Sequence, residues 1–412
     1  MSRLASQSKP LKILYAAGPG NVIETYHYWK TGKDDPRETS ITYSGQFYTV
    51  CRELNAQAYV IAYNSDKQII QDEQFTLEHR PIPFRNSSSI LYHLGMLWYG
   101  IGLLISAIRF QTDVAVISDG TIHWFILSVF TLFGIKVIPS LHCVLFLKYI
   151  PPTKLQQLIL RLSRRLFAKD CTAILVVSDE IGEQVKQLTN EQNQPIFRSF
   201  AIYREKQFEQ ITEPNLSNFP IKVLYIGRIE SNKGIFILPE VAKQLVAQSQ
   251  TNIKFDICGD GSALTELQVA VEKAKLTNFL VCHGHCNKNK IREMLNQCHI
   301  IIVPTQTNFG EGFNKVIVEG ILAHRPVIAS KVCNDLSLLN KAVISVEPDD
   351  IQGYTQAIIQ LINDSQLYQE KQKATYVLQE QFYDLSKGWG TQLKSILVAI
   401  QNLGEIKPEL NR

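Results

Sequence analysis

A short β-branched apolar run, a glycine or polar turn, then a stretch with helical spacing recurs along this chain. Residues 11–17 run into Gly18-Pro19-Gly20-Asn21. Residues 58–62 follow a helical stretch over 44–54, and 113–117 end at Ser118-Asp119-Gly120. A helix is expected over 123–133; residues 135–141 then lead to His142, and 173–177 end at Ser178. Runs this short and β-branched suit buried strands. Strands that alternate with helices build a parallel sheet covered on both faces, with ligands beyond the carboxyl ends of the strands. The chain turns polar over 189–220, with Pro214 and Pro220, which reads as a linker. The series then restarts at 221–226, 254–258 and 300–303. The expected fold is α/β, with two Rossmann-like, doubly wound domains. Their expected extents are 1–217 and 218–385, followed by a last segment, 386–412.

At 412 residues the chain can bury two good cores. A formal charge of +4 gives no case for nucleic acid as a partner. Eight cysteines scattered through a long chain read as reduced thiols in a cytoplasmic protein. The polar start, 1–10, and the short apolar run after it do not make a signal peptide. Ile90–Phe110 is largely apolar, with His93 and Arg109 as its ionisable groups. It reads as a helix buried between the sheet and the protein surface; an interfacial membrane helix is the rival reading. Residues 154–169 place Leu155, Leu158, Ile159, Leu162 and Leu166 on one stripe and most of their arginines elsewhere. Either a solvated basic helix face or adhesion to anionic lipid accounts for that pattern.

The chemistry concentrates after the run 300–303. Gly310 and Gly312 bracket Glu311, and Asn314 is placed to cap a helix that carries Glu319. A helix N-terminus offers unpaired N–H groups to a phosphate. Carboxylates beside such a site make sense if they accept hydrogen bonds from hydroxyls, as on a sugar or a ribose. In Gly227-Arg228-Ile229-Glu230-Ser231-Asn232-Lys233-Gly234, two glycines let one loop bring an arginine and a lysine to a diphosphate. Gly18 and Gly20 follow the first strand, where either a plain turn or a phosphate-facing loop fits. His142 ends a strand and so has a claim on the cleft, though a core or loop histidine would look the same. Cys282, His283, His285 and Cys286 crowd one strand end, where alternation sends neighbours to opposite faces, so no metal site is expected.

Glu311-x7-Glu319, with Gly312-Phe313 inside it, resembles the signature of family four retaining glycosyltransferases of the GT-B fold. Gly227-Arg228 and Lys233-Gly234 match a second segment of that family. The resemblance implies two domains facing a cleft, with a nucleotide-diphosphate sugar as donor and no metal required. It implies that Arg228 and Lys233 hold the diphosphate, aided by the N–H groups near Phe313 and Asn314. It implies that Glu319 holds the ribose, while Glu311 and His142 attend the transferred sugar. Gly18 and Gly20 would face the donor phosphates, Gly259 the nucleotide and Gly284 the base. Retention of anomeric configuration, and a glycan or lipid-linked acceptor in cell-surface polysaccharide or glycolipid synthesis, follow from it. Family acceptors are often lipid-linked, which gives the basic stretch 154–169 of a cytoplasmic protein a use in peripheral contact with the inner face of an anionic membrane, beside its reading as a solvated helix face. Residues 383–389 resemble the crossover after which the last helix packs back on the first domain. The likeness is fullest over 221–382. It departs at Ala323-His324-Arg325-Pro326 and at 330–335, where the usual glycines are missing. A nucleotide-sugar epimerase and a catalytically silent nucleotide-sugar-binding subunit are the alternatives.

Overall fold

The apolar runs pair as two separate sheets in the computed structural model, which describes residues 9–403 apart from 86, 88 and 89. The start of the chain, 1–8, and the end of the last segment, 404–412, lie outside the described residues. The first sheet contains β1 (Lys12–Pro19), β2 (Gln57–Tyr63), β3 (Gln68–Asp72), β4 (Phe75–Arg80), β5 (Val114–Ser118), β6 (Lys136–Leu141), β7 (Ile174–Val176) and β8 (Ile196–Arg198). Its order is β3-β4-β2-β1-β5-β6-β7-β8. The second contains β9 (Ile221–Ile226), β10 (Ile253–Cys258), β11 (Leu280–Gly284), β12 (Ile300–Val303), β13 (Val327–Ser330) and β14 (Val343–Val346), in the order β11-β10-β9-β12-β13-β14. Every pairing is parallel except β3 with β4. In each sheet the strand order reverses direction beside the first strand of the domain. A crevice opens at that point beyond the strand ends.

β1 and β5 are apolar on both faces because helices cover both. Tyr15, Tyr26, Phe47, Trp389, Leu393 and Leu397 share one core of the first domain. The helix Trp389–Leu403 therefore packs back on that domain, as the crossover resemblance implies. Leu103, Phe130, Leu141, Phe167 and Val185 form the core on the opposite face. Ala201, Tyr203, Phe208 and Ile211 pack into the core of the second domain. The segment assigned to the first domain up to residue 217 thus changes sides from Ala201 onward, because these apolar side chains cover the helix Lys315–Leu322.

Two local expectations change, and one hairpin was not expected. The hairpin β3–β4 is not legible, because 68–80 mixes polar and apolar residues at an exposed sheet edge. The stretch 123–133 is three successive short turns rather than one helix, closed by Gly134 in the left-handed region. The helix Ile90–Phe110 forms, but only one side of it is buried. Met96, Tyr99, Leu103 and Ala107 face the core, while Trp98 is 69% exposed.

Candidate active site

β12 is four buried apolar residues stopped by Pro304, and its loop carries Glu311 to the start of the helix Lys315–Leu322. Asn314 caps that helix: its side-chain oxygen accepts from the N–H groups of Val316 and Ile317 at 3.0 and 3.3 Å. Its amide nitrogen donates to Glu311 Oε2 at 3.1 Å. The same oxygen accepts from Lys233 Nζ at 3.0 Å and from the Thr305 hydroxyl at 3.4 Å. The helix cap and a lysine from a distant loop thus fix one buried carboxylate.

Lys233 reaches this point because Gly234 lets its loop press on the end of β12. At Gly234 φ is +75°, and a Cβ there would lie 1.8 Å from the Pro304 carbonyl oxygen. The Lys233 ammonium lies 3.7 Å from the centre of the Phe309 ring, and the Arg228 guanidinium 5.6 Å from it. Arg228 also pairs with Glu230 at 3.0 Å. Two cations, a helix N-terminus and Glu311 therefore share one corner, which suits a diphosphate.

Glu319 is buried in the second turn of the same helix and accepts a short hydrogen bond from the Thr39 hydroxyl. Burial pushes its carboxyl up to about 7, although Thr39 and Lys315 favour the charged form. Lys315 pairs with Glu38 at 3.0 Å. Residues 38 and 39 of the first domain therefore reach across the cleft to the helix of the second.

On the first domain, His142 is half-buried just after β6, and desolvation pushes it down to about 3, with Lys315 adding to the effect. It is a neutral imidazole near neutral pH. Its Nε2 meets the Ser140 hydroxyl at 2.9 Å, and that hydroxyl accepts from Trp389 Nε1 at 2.9 Å. The crossover helix thereby orients the histidine. Asp119 Oδ2 accepts from the backbone N–H groups of His142 and Cys143 at 2.8 and 2.6 Å. Burial nevertheless pushes Asp119 up to about 6. Opposite, Gly312 lies against the His142 carbonyl so closely that a Cβ would come within 1.7 Å of its oxygen.

Arg228, Lys233, Glu311 and Asn314 are thus joined by direct contacts or through Phe309, and His142 faces them across Gly312. Gly18 and Gly20 line the first-domain wall of a cleft of about 450 Å³, together with Arg37 and His142, and Lys315 lines it from the second domain. Gly227, Gly259 and Gly284 sit at the ends of β9, β10 and β11. Gly259 lies so close to Gly227 that a Cβ there would meet its carbonyl oxygen at 1.7 Å, and its N–H donates to Gly284 at 2.9 Å. The Phe313 side chain packs between the cores of the two domains. His283 is held by Asp256 at 2.7 Å, and the Cys286 thiol donates to the Gly284 carbonyl at 3.4 Å.

Residues 206–377 match the model of the family described as glycosyl transferases group 1. That match spans the second domain, less than half of the chain, and there the chain resembles the family. It is a retaining glycosyltransferase that uses a nucleotide sugar. It is 23% identical over 281 residues to alpha-D-kanosaminyltransferase of Streptomyces kanamyceticus, covering 64% of this transferase and 70% of that protein. It is 24% identical over 193 residues to the putative teichuronic acid biosynthesis glycosyltransferase TuaC of Bacillus subtilis, covering 45% of this chain and 46% of that one. Among solved structures, HepE of Anabaena in complex with UDP superposes with a TM-score of 0.64 at 15% identity. That match covers 96% of this chain and 100% of the other. An E. coli protein bound with UDP-2-fluoro glucose superposes with a TM-score of 0.71 at 11% identity, over 95% and 99% of the two chains. These likenesses carry the GT-B fold.

Several residues around the transferase's cleft were not legible beforehand. Phe309 stands beside the motif, but nothing in its spacing says that two cations gather at its ring. Asn334 lies where the family's glycine pair is missing, and its amide donates to the carbonyls of Glu311 and Gly312 at 2.6 and 3.1 Å. The departure is therefore a different brace for the Glu311 loop. Next to it, Asp335 takes a left-handed φ of 59° and pairs with Arg198 of the first domain at 3.1 Å.

Proposed function

We propose that the enzyme moves a sugar from a nucleoside-diphosphate sugar to a hydroxyl of a glycan or lipid-linked acceptor held by the first domain. The cluster of Lys233, Asn314 and Glu311 at a helix N-terminus, facing His142 across Gly312, carries this reading. Lys233 and Arg228 hold the diphosphate and receive its growing charge as the bond from the anomeric carbon to the phosphate oxygen breaks. Preorganised cations are most effective at such a point. No metal is needed where two cations and a helix terminus already neutralise the leaving group.

Glu319 accepts hydrogen bonds from the ribose once Thr39 gives way. Glu311 and the neutral His142 position the sugar hydroxyls while the ring has oxocarbenium character. The acceptor hydroxyl attacks the face that the diphosphate leaves, and its proton passes to the departing phosphate oxygen, so configuration is retained. Uridine is the proposed base, supported by the UDP complexes of the similar structures. Synthesis of cell-surface glycans at the cytoplasmic side is the proposed setting. A thermal-shift series with UDP-, GDP-, ADP- and dTDP-sugars tests the donor assignment, because a ligand of the folded state raises apparent stability. Stabilisation by UDP-sugars is expected; no shift with any nucleotide sugar overturns the reading.

A further inference from the structure

The helix Ile90–Phe110 has two apolar sides, and the fold uses only one. Its outward stripe is Leu91, Leu94, Trp98, Ile101, Ile105 and Ile108, all exposed at steps of three and four residues. A solvated helix face carries polar or charged residues instead. The next layer on this side of the sheet repeats the pattern: Leu132 is 79% exposed and Phe133 56%. The helix Lys154–Arg165 packs against the turn Trp124–Ile126 and leaves Leu155, Leu158 and Leu162 exposed. Its apolar stripe thus points outward, away from the sheet. Three neighbouring elements together present an apolar surface far beyond the scattered side chains of an ordinary monomer.

Charge identifies what covers it. No Asp or Glu occurs over 81–112 or over 120–169, while the exposed Arg109, Lys148, Lys154, Arg161 and Lys169 fall in those stretches, and exposed Arg165 pairs with Asp170 at 3.0 Å. A second copy seated on this face would bring basic surface against basic surface, without a carboxylate from these elements between them. An anionic bilayer supplies both the apolar interior and the opposite charge. The buried side of Ile90–Phe110, with Met96, Tyr99, Leu103 and Ala107 in the core, prevents the helix from crossing the membrane. It can lie only in the interface.

We infer that this face of the first domain, formed by Ile90–Phe110, 124–133 and Lys154–Arg165, docks in the interface of an anionic lipid bilayer. Trp98 and its stripe enter the acyl boundary, and the basic side chains meet the headgroups. Ile90 and Lys154 begin their helices after β4 and β6, on the carboxyl side of the sheet, where the cleft opens. Docking therefore sets the cleft mouth beside the bilayer surface. The inference stands on exposed residues outside the donor site and holds whatever sugar that site uses.

Flotation with vesicles of phosphatidylcholine alone, or mixed with phosphatidylglycerol, tests it on the full chain. The protein is expected to float with the mixed vesicles and much less with the neutral ones. Arg161→Glu with Arg164→Glu and Arg165→Glu should lower partitioning roughly a hundredfold, since each basic group near an anionic surface contributes several-fold. Vesicles with brominated acyl chains should quench the parent's fluorescence, and Trp98→Phe, a change at an exposed position, should remove most of that quenching, since Trp124 of the same face is half-buried. Nucleotide-sugar thermal shifts serve as the control for folding and should be unchanged in both variants. Equal flotation with neutral and mixed vesicles, or quenching undiminished in Trp98→Phe, overturns the proposal. So does a dimer in solution that Trp98→Phe dissociates while vesicle binding is absent.

Discussion

Gly312→Ala puts a methyl group where the two domains meet. Its Cβ would lie 1.7 Å from the His142 carbonyl oxygen and 2.5 Å from the carbonyl carbon. Relief requires more than an ångström of movement, and both partners are backbone. Neither side yields easily: Asp119 holds the N–H groups of His142 and Cys143, and Asn334 holds the carbonyls of Glu311 and Gly312. The expected response is an opening of the domains that carries Glu311 away from His142. A displacement of about 1 Å at reacting groups costs on the order of a hundredfold in rate. The diphosphate site, built from Lys233, Arg228 and Asn314, lies within the second domain and moves as a unit. Steady-state kinetics should therefore show kcat down by roughly a hundredfold, with calorimetric affinity for the free nucleotide changed by less than about threefold. A kcat within about twofold of the parent refutes the claim that this contact sets the working geometry.

Arg228→Ala or Lys233→Ala should raise the barrier to transfer by roughly 2–4 kcal/mol with the fold intact, measured as kcat/KM beside a thermal melt; parent rates in both contradict the diphosphate assignment. Glu319 gives a pH signature. Its folded value of about 7 exceeds the 4.5 of a free glutamate, so the folded state binds the proton more tightly. Folded stability should fall as pH rises from 4.5 toward 7 and level off above it. Ribose hydroxyls need the carboxylate, so donor association should weaken about tenfold per pH unit below 7, and Glu319→Gln should flatten that profile. A parent profile without this dependence contradicts the role.

The sequence carried the α/β alternation because strands buried on both faces must be continuous apolar runs, as at 221–226 and 300–303. The donor-side candidates came from the family resemblance, because alone those glycines and charged groups read as a common surface loop. What stayed hidden depends on pairing across long separations. Thr39 on Glu319 and Glu38 on Lys315 join residues 280 and 277 positions apart. Periodicity alone assigned Ile90–Phe110 to the interior, because an apolar helix reads the same whether its second side meets protein or lipid. At His324, where the family has glycine, φ is +57°, and the ring stacks on Tyr376 at 4.0 Å and bonds to Thr375 at 3.1 Å. The missing glycine is offset by contacts that no local pattern announces. Its neighbour Arg325, fully buried, donates to the carbonyls of Thr212, Asn296 and Cys298, where the sequence shows only a charged residue before a proline.

Transfer to methanol tests the central claim most directly, since it needs no knowledge of the natural acceptor. The enzyme is incubated with an α-linked UDP-glucose donor in buffer containing methanol, and the methyl glucoside is identified from the coupling of its anomeric proton by NMR. Methyl glycosides do not mutarotate, so the reading records the chemical step. Same-side attack at a site organised by Lys233, Arg228 and Glu311 predicts the α-glucoside, lost in Lys233→Ala. A β-glucoside would contradict the account.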